Sequence, residues 1–218
     1  MKTLTAAACV AVCLLSAAAA KADDYSSKAG EVLVHVGAAG LLFDSSGKFD
    51  VAGQRLPGAS LRTTNNATVA GEIGYYFTPT FSVTLTVGIP PVTQAIGTGV
   101  LAPVGELGSA EYGPTAVFAN YHFNQFGRFQ PWVGAGPTML VVFHTKDGAL
   151  HNLKVADKLG GAVEVGAEYR MSHRVGVYFS AAKLFLQTDG SGTFNGLPIK
   201  AKVVLNPTVL QGGLAFHF

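Results

Sequence analysis

Residues able to do chemistry sit at alternate positions within apolar runs. Glu72 lies within Val69–Phe77, Asn120 and His122 within Thr115–Phe123, and Glu164, Glu168 and Arg170 within Gly161–Met171. Carboxylates, an imidazole and a guanidinium brought together support two uses. They can serve as acid and base beside a nucleophile, or pair with one another as a structural polar cluster. The chain has six histidines: His35, His122, His144, His151, His173 and His217. None stands in a His-x-Ser pair on an apolar alternating run, so a Ser–His–acid triad would have to assemble across separate segments. His144 and His151 are seven residues apart with Asp147 between them. In a polar connecting stretch that spacing is weak as a metal site. No catalytic residue, cofactor or metal is expected.

These runs belong to an exported chain. Met1–Lys2 is followed by an uncharged apolar stretch to Ala20, then by Ala20-Lys21-Ala22 and Asp23-Asp24. A basic start, an apolar middle and an Ala-x-Ala end predict a secretory signal peptide over 1–22 and a mature domain over 23–218. Removing 22 residues from 218 leaves 196 and takes away Lys2, Lys21, Cys9 and Cys13. The mature charge is then balanced, which excludes a basic face for nucleic acid. With no cysteine left there is no disulfide or thiolate metal site. Charged residues make up 13% of the chain, against about 25% in soluble domains. No mature segment has the roughly 18 unbroken apolar residues of a spanning helix. The remaining way to satisfy the backbone in lipid is a closed barrel of strands.

The period is two. Val69, Gly71, Ile73, Tyr75 and Phe77 alternate with Thr68, Ala70, Glu72, Gly74 and Tyr76, and a similar run from Phe81 follows Thr78-Pro79-Thr80. The unit recurs on either side of turns near 124–128 and 172–174. A first strand is predicted from Glu31 to about Ala39, a fifth from about Gln130 to Val142 and a last from about Val203 to Phe218. Three connections are short and four are long, roughly 41–66, 90–111, 143–158 and 187–202. The prediction is an all-β, eight-stranded antiparallel transmembrane β-barrel in the outer membrane, with short periplasmic turns and long outer loops. Tyr75, Phe77, Phe81, Tyr121, Phe123, Phe126, Phe129, Trp132, Tyr169 and Phe218 lie near the short turns or the C-terminus, as an interfacial girdle would. Lys183 has lipid-facing parity and is expected to snorkel toward lipid phosphates at the outer interface. The ending Gln211-x-Gly213-x-x-Phe216-x-Phe218 resembles the terminal-strand signal read by the barrel-assembly machinery.

The mature length resembles the outer-membrane protein W (OmpW) family. The resemblance rests on Gly30-Glu31-Val32-Leu33-Val34 with Val36-Gly37, Thr64-Asn65-Asn66, Ile89-Pro90, Trp132-Val133-Gly134-Ala135-Gly136 and Leu205-Asn206-Pro207. Two places depart from it: Asn206 stands where the family usually has Asp, and Phe185-Leu186-Gln187-Thr188 where it is often acidic. The resemblance implies a narrow apolar channel for small hydrophobic solutes, with lateral exit into outer-membrane lipid. It aligns Leu61 with an apolar residue that constricts the pore, and Leu33 should also turn inward. Glu72, Asn120, His122, Glu164, Glu168 and Arg170 then form either a polar gate below an apolar funnel or a structural plug with the acids paired to Arg170 and bonded to polar neighbours. Burial away from lipid explains them without any ligand. Two rival functions are a lipid A acylase or deacylase, and an adhesive barrel whose loops bind surfaces, phage or bacteriocins without transport.

Overall fold

Each apolar-alternating run has become a strand that presents one parity to the outside and the other to a closed lumen. The computed structural model describes residues 25–218, so the expected signal peptide lies outside the described residues. In chain order the strands begin with β1 (Val32–Leu42), β2 (Ser46–Val51), β3 (Gln54–Arg55), β4 (Ala59–Thr63) and β5 (Asn66–Thr78). Then come β6 (Phe81–Gly88), β7 (Val92–Gly99), β8 (Glu106–His122), β9 (Phe129–Asp147) and β10 (His151–Val155). The last are β11 (Lys158–Arg170), β12 (Val175–Phe185), β13 (Gln187–Phe194), β14 (Leu197–Val204) and β15 (Thr208–His217).

Eight of these close a barrel in the order β8-β6-β5-β1-β15-β12-β11-β9, with β9 returning to β8. All neighbours are antiparallel. The first and last strands meet in ten register pairs from Leu33↔His217 to Leu42↔Thr208. Gly37 permits a close approach at this seam, because a Cβ there would lie 2.1 Å from the Gly212 carbonyl oxygen.

The four long connections are not loops. β2, β3, β10, β13 and β14 build a five-stranded outer sheet in the order β10-β13-β14-β2-β3, while β7, with β4 beside it, pairs with the upper part of β8 and extends the wall above β6. The polar, Gly-rich composition of these segments hid strands whose partners lie far apart in sequence, as with β2 and β14. The expected last strand is two strands, broken at Leu205–Pro207, where Asn206 takes a φ of 34°. Asparagine tolerates that left-handed conformation better than most residues. Its side-chain oxygen also accepts the Leu186 N–H at 3.1 Å.

The outside parity is apolar: Val69, Ile73, Leu85, Val163, Val165, Val177 and Phe179 are exposed. Tyr75, Phe77, Phe81, Tyr121, Tyr169 and Phe218 are exposed near the short-turn end, as expected of a girdle. Trp132 is not part of it. It is buried, because it shares inward parity with Gln130 while Val133 takes the outward place. Lys183 keeps its outward parity, but its ammonium donates to the Asn206 carbonyl at 2.7 Å and to Thr208 Oγ1 at 3.3 Å. The protein's own seam takes up the charge that was expected to reach lipid.

Candidate functional site

The lumen has two chemically different halves. Toward the periplasmic end, inward residues of neighbouring strands are polar and find one another. His35 on β1 pairs with Glu72 on β5 at 2.8 Å, and Thr86 on β6 donates to the same carboxylate at 3.3 Å. The Trp132 indole N–H donates to Glu164 at 2.8 Å. Asn120 donates to Thr84 at 3.0 Å, and Gln211 donates to the Tyr178 hydroxyl at 2.6 Å. His35 stacks on Tyr178 with ring centroids 3.9 Å apart.

A second polar layer lies nearer the periplasm. Glu168 receives His217 Nε2 at 3.0 Å and lies 3.1 Å from Arg170 Nε. The latter is an ion-pair contact without the alignment of a hydrogen bond. The other end of the guanidinium reaches Glu31 at 3.4 Å and donates to Ser27. Tyr25 enters the same mouth: its ring stacks on His173, its hydroxyl accepts from Arg128 at 2.6 Å and its carbonyl accepts from Gln130. Burial without pairing would cost each charged group several kcal/mol, and these contacts compensate for it.

The expected inward residues Leu33, Glu72, Asn120, His122, Glu164, Glu168 and Arg170 are all buried. Of the acids, Glu168 and Glu31 touch Arg170, while Glu72 and Glu164 bond to the polar neighbours His35 and Trp132. His35, Ser82, Trp132, Tyr178, Tyr25 and Ser27 were not anticipated in the plug. Inward parity was a usable signal for the first four. The chain preceding β1 gives no signal for Tyr25 and Ser27. Of the terminal-strand motif, Gln211 and Gly213 share the inward parity of Ala215 and His217, and Phe218 is exposed on the outside with Phe216 on the same parity. A His–Ser contact does assemble across strands, His122 Nε2 to Ser82 Oγ at 2.8 Å. The other imidazole nitrogen faces the Tyr76 hydroxyl at 3.3 Å, and the serine is fully buried. The pair has neither the acid nor the open space that acyl transfer requires.

Above the plug the filling is apolar. Phe118, Leu140, Ala162, Leu184 and Leu186 continue upward into Phe49, Leu107, Leu150, Ile199 and Val203 of the outer sheet and wall. The residues of the outer sheet and upper wall surround a cavity of about 90 Å³ whose lining includes Leu61, Phe49, Leu107, Leu140 and Ile199. Leu61 is buried there and also packs on β2, since a Cβ on Gly47 would lie 3.2 Å from its Cγ. A second cavity of about 50 Å³ lies between funnel and plug. Glu72, Glu164 and Thr86 are on its wall, and so are Val87, Ile89, Pro91 and Gly113 of the barrel side.

That side is interrupted. β6 pairs with β8 as far as Thr86↔Ala116, and β7 resumes at Val92↔Glu111. Between them one backbone bond is made, Tyr112 N–H to the Pro91 carbonyl at 3.3 Å. Pro90 and Pro91 have no N–H to donate to the ladder.

Outside the membrane span two carboxylates are tuned by neighbours. Backbone N–H groups of Leu153 and Asn152 hold Asp147 below the usual carboxylate range, and the hydrogen bond and charge of Lys158 do the same for Asp189. His144, at the top of β9, lies 3.4 Å from Glu111.

A closed eight-stranded wall with an apolar funnel, a polar plug and one broken seam can be compared with known proteins. The family described as the OmpW family matches residues 28–218. This chain belongs to the OmpW family. One relative is the dibenzothiophene metabolism operon protein PahQ of Pseudomonas aeruginosa, 31% identical over 183 residues, covering 84% of this chain and 86% of that protein. Another is the outer membrane protein AlkL of Ectopseudomonas oleovorans, 28% identical over 172 residues, covering 79% and 75%. The crystal structure of the outer membrane protein OprG from Pseudomonas aeruginosa shares the fold. Its TM-score is 0.84 at 21% identity, over 90% of this chain and 99% of that one. As an OmpW-family member, the chain is an outer-membrane β-barrel.

Proposed function

We propose that this OmpW-family barrel is a passive channel for small hydrophobic molecules and releases them sideways into the outer membrane. A solute enters the apolar space among the outer strands, passes Leu61, descends to the cavity above Glu72 and Glu164, and leaves between Val87–Pro91 and Tyr112–Thr115. The observation that carries this reading is the coincidence of a filled periplasmic half with an interrupted side seam beside the cavity. A straight path would have to break the layers around Glu168, Arg170 and His217. A sideways path breaks one hydrogen bond. Apolar walls suit such a solute because they give van der Waals contact without requiring hydrogen bonds, while hydrated ions would have to shed water. The relatives' connection by name with a dibenzothiophene metabolism operon supports an apolar passenger.

The test is a cross-link. Val87 and Thr115 stand where the next register pair would fall if the β6–β8 ladder continued beyond Thr86↔Ala116. Val87→Cys with Thr115→Cys, oxidised in folded protein, should lower apolar-solute flux into liposomes, and reduction should restore it. Undiminished flux through the cross-linked barrel would exclude the side exit. Absence of flux in the native protein would favour the adhesive alternative.

A further inference from the structure

The outer sheet carries a charge arrangement that the channel does not use. Along its solvent face β14 alternates Lys200 and Lys202 with inward Ile199, Ala201 and Val203. Lys48 of β2 lies directly opposite Lys202 on that face, and Asp50 lies opposite Lys200. Asp189 of β13 is the other neighbour of Lys202, but its carboxylate is engaged by Lys158 at 2.9 Å. Neither Lys48 nor Lys202 has a carboxylate within ion-pair distance among the described residues. Like charges directly opposite on paired strands are destabilising, and the face's two carboxylates, Asp50 beside Arg55 and Asp189 on Lys158, are each already engaged by another cation, so Lys48, Lys200 and Lys202 leave this ladder with excess positive charge.

The place of this pair matters. A groove of about 430 Å³ runs from the barrel wall to the sheet, bordered by Lys158, Leu159, Phe185, Gln187, Asp189 and Lys202. Leu159 and Phe185 are exposed on the lipid-facing parity. β12 runs eleven residues from Val175 to Phe185. At about 3.3 Å per residue and a tilt near 40°, the steps between its two ends climb about 25 Å, the height of the apolar band of such barrels. Phe185 and Leu159 therefore mark the outer edge of the hydrocarbon, with Lys202 on the same groove wall and Lys48 one strand further along the sheet.

We propose that this groove and the Lys48–Lys202 pair dock a phosphorylated, multiply acylated glycolipid of the outer leaflet. The acyl chains lie against Leu159 and Phe185, and the phosphate sits between the ammonium groups. The charge complementarity and the step from apolar edge to cationic row select a lipid over a soluble anion. The bound phosphate balances the positive charge that Asp50 and Asp189 leave uncompensated.

The experiment uses the folded, detergent-purified mature chain and native mass spectrometry. Bisphosphorylated lipid A, the same lipid enzymatically dephosphorylated, and inorganic phosphate are compared as ligands. The native protein should retain the bisphosphorylated lipid about tenfold better than the dephosphorylated one, the scale of one charge-assisted contact. Lys48→Gln with Lys202→Gln should lose that preference, and millimolar inorganic phosphate should not displace the lipid. In the lipid-free state the same double variant should melt at an equal or higher temperature, because it removes a repulsion. Equal retention of the two lipids, an unchanged preference in the variant, displacement by inorganic phosphate, or a lower lipid-free melting temperature would each overturn the proposal.

Discussion

Replacing Leu61 by aspartate tests the funnel at its narrowest argument. Leu61 is buried, walls the 90 Å³ cavity and packs on β2 at Gly47. A passing apolar solute loses contact with about three aliphatic carbons of the leucine and meets a carboxylate that retains its water. At about 0.8 kcal/mol per buried methylene the lost contact is worth about 2 kcal/mol, which lowers occupancy of the site about 30-fold. Flux of an apolar solute into proteoliposomes should fall by a similar factor while occupancy is limiting. Arg62→Asp, on the opposite face of β4, should leave flux unchanged. Heat-modifiable gel mobility and a β-rich circular dichroism spectrum verify that both variants are folded. Native flux through folded Leu61→Asp would show that the cavity is off the path, with Leu61 acting only as packing for the outer sheet.

Arg170→Met should destabilise the barrel by about 3–5 kcal/mol in a lipid-based urea titration, since it leaves the buried Glu168 with His217 as its remaining charged partner and removes the contacts to Ser27 and Glu31; a shift within experimental error would mean that the lower plug is wetter than its burial indicates. The Asp147 carboxyl is held below its ordinary range in the folded state, so its contribution is present above the unfolded value and lost as pH falls through the depressed one. Amide exchange at Asn152 and Leu153 should accordingly stay protected at neutral pH and accelerate only below the usual carboxylate range; Asp147→Asn should bring the faster exchange to neutral pH. Deleting Phe218 removes its backbone bonds with Val32 at 2.9 and 3.0 Å as well as the exposed terminal ring. The amount of inserted, heat-modifiable barrel in outer membranes should drop, and wild-type yield would deny the terminal motif its assembly role.

Much of this barrel was legible because period two is a strong constraint. Once Val69, Ile73 and Tyr75 face lipid, Glu72 and Tyr76 have nowhere to go but inward, and the short turns fix the pairing. Closeness to a turn alone places Trp132 in the girdle, whereas its alternation with Val133 points it into the lumen. The outer sheet was illegible for a different reason. Phe49 and Ala201 pack together only because β2 and β14 pair across about 150 residues, and no local pattern reports such a partner. The same holds for the plug's pairings. Parity says that Glu164 and Trp132 are both inward, but the β9–β11 register decides that they meet.

The β1–β15 seam has a consequence for how the molecule comes into being. Its ten register pairs join residues separated by almost the whole described chain, and β15 is also the only strand among those described that bridges β1 to β12. A nascent chain lacking β15 therefore has two bare edges and no circumference, however well its central hairpins are formed. Closure is a single late event with a large loop-closure entropy to overcome. Any intermediate that waits for it exposes ribbon edges ready to pair with another copy. The last strand acts as a clasp, and shielding the open ribbon until it arrives is a task that falls outside this sequence.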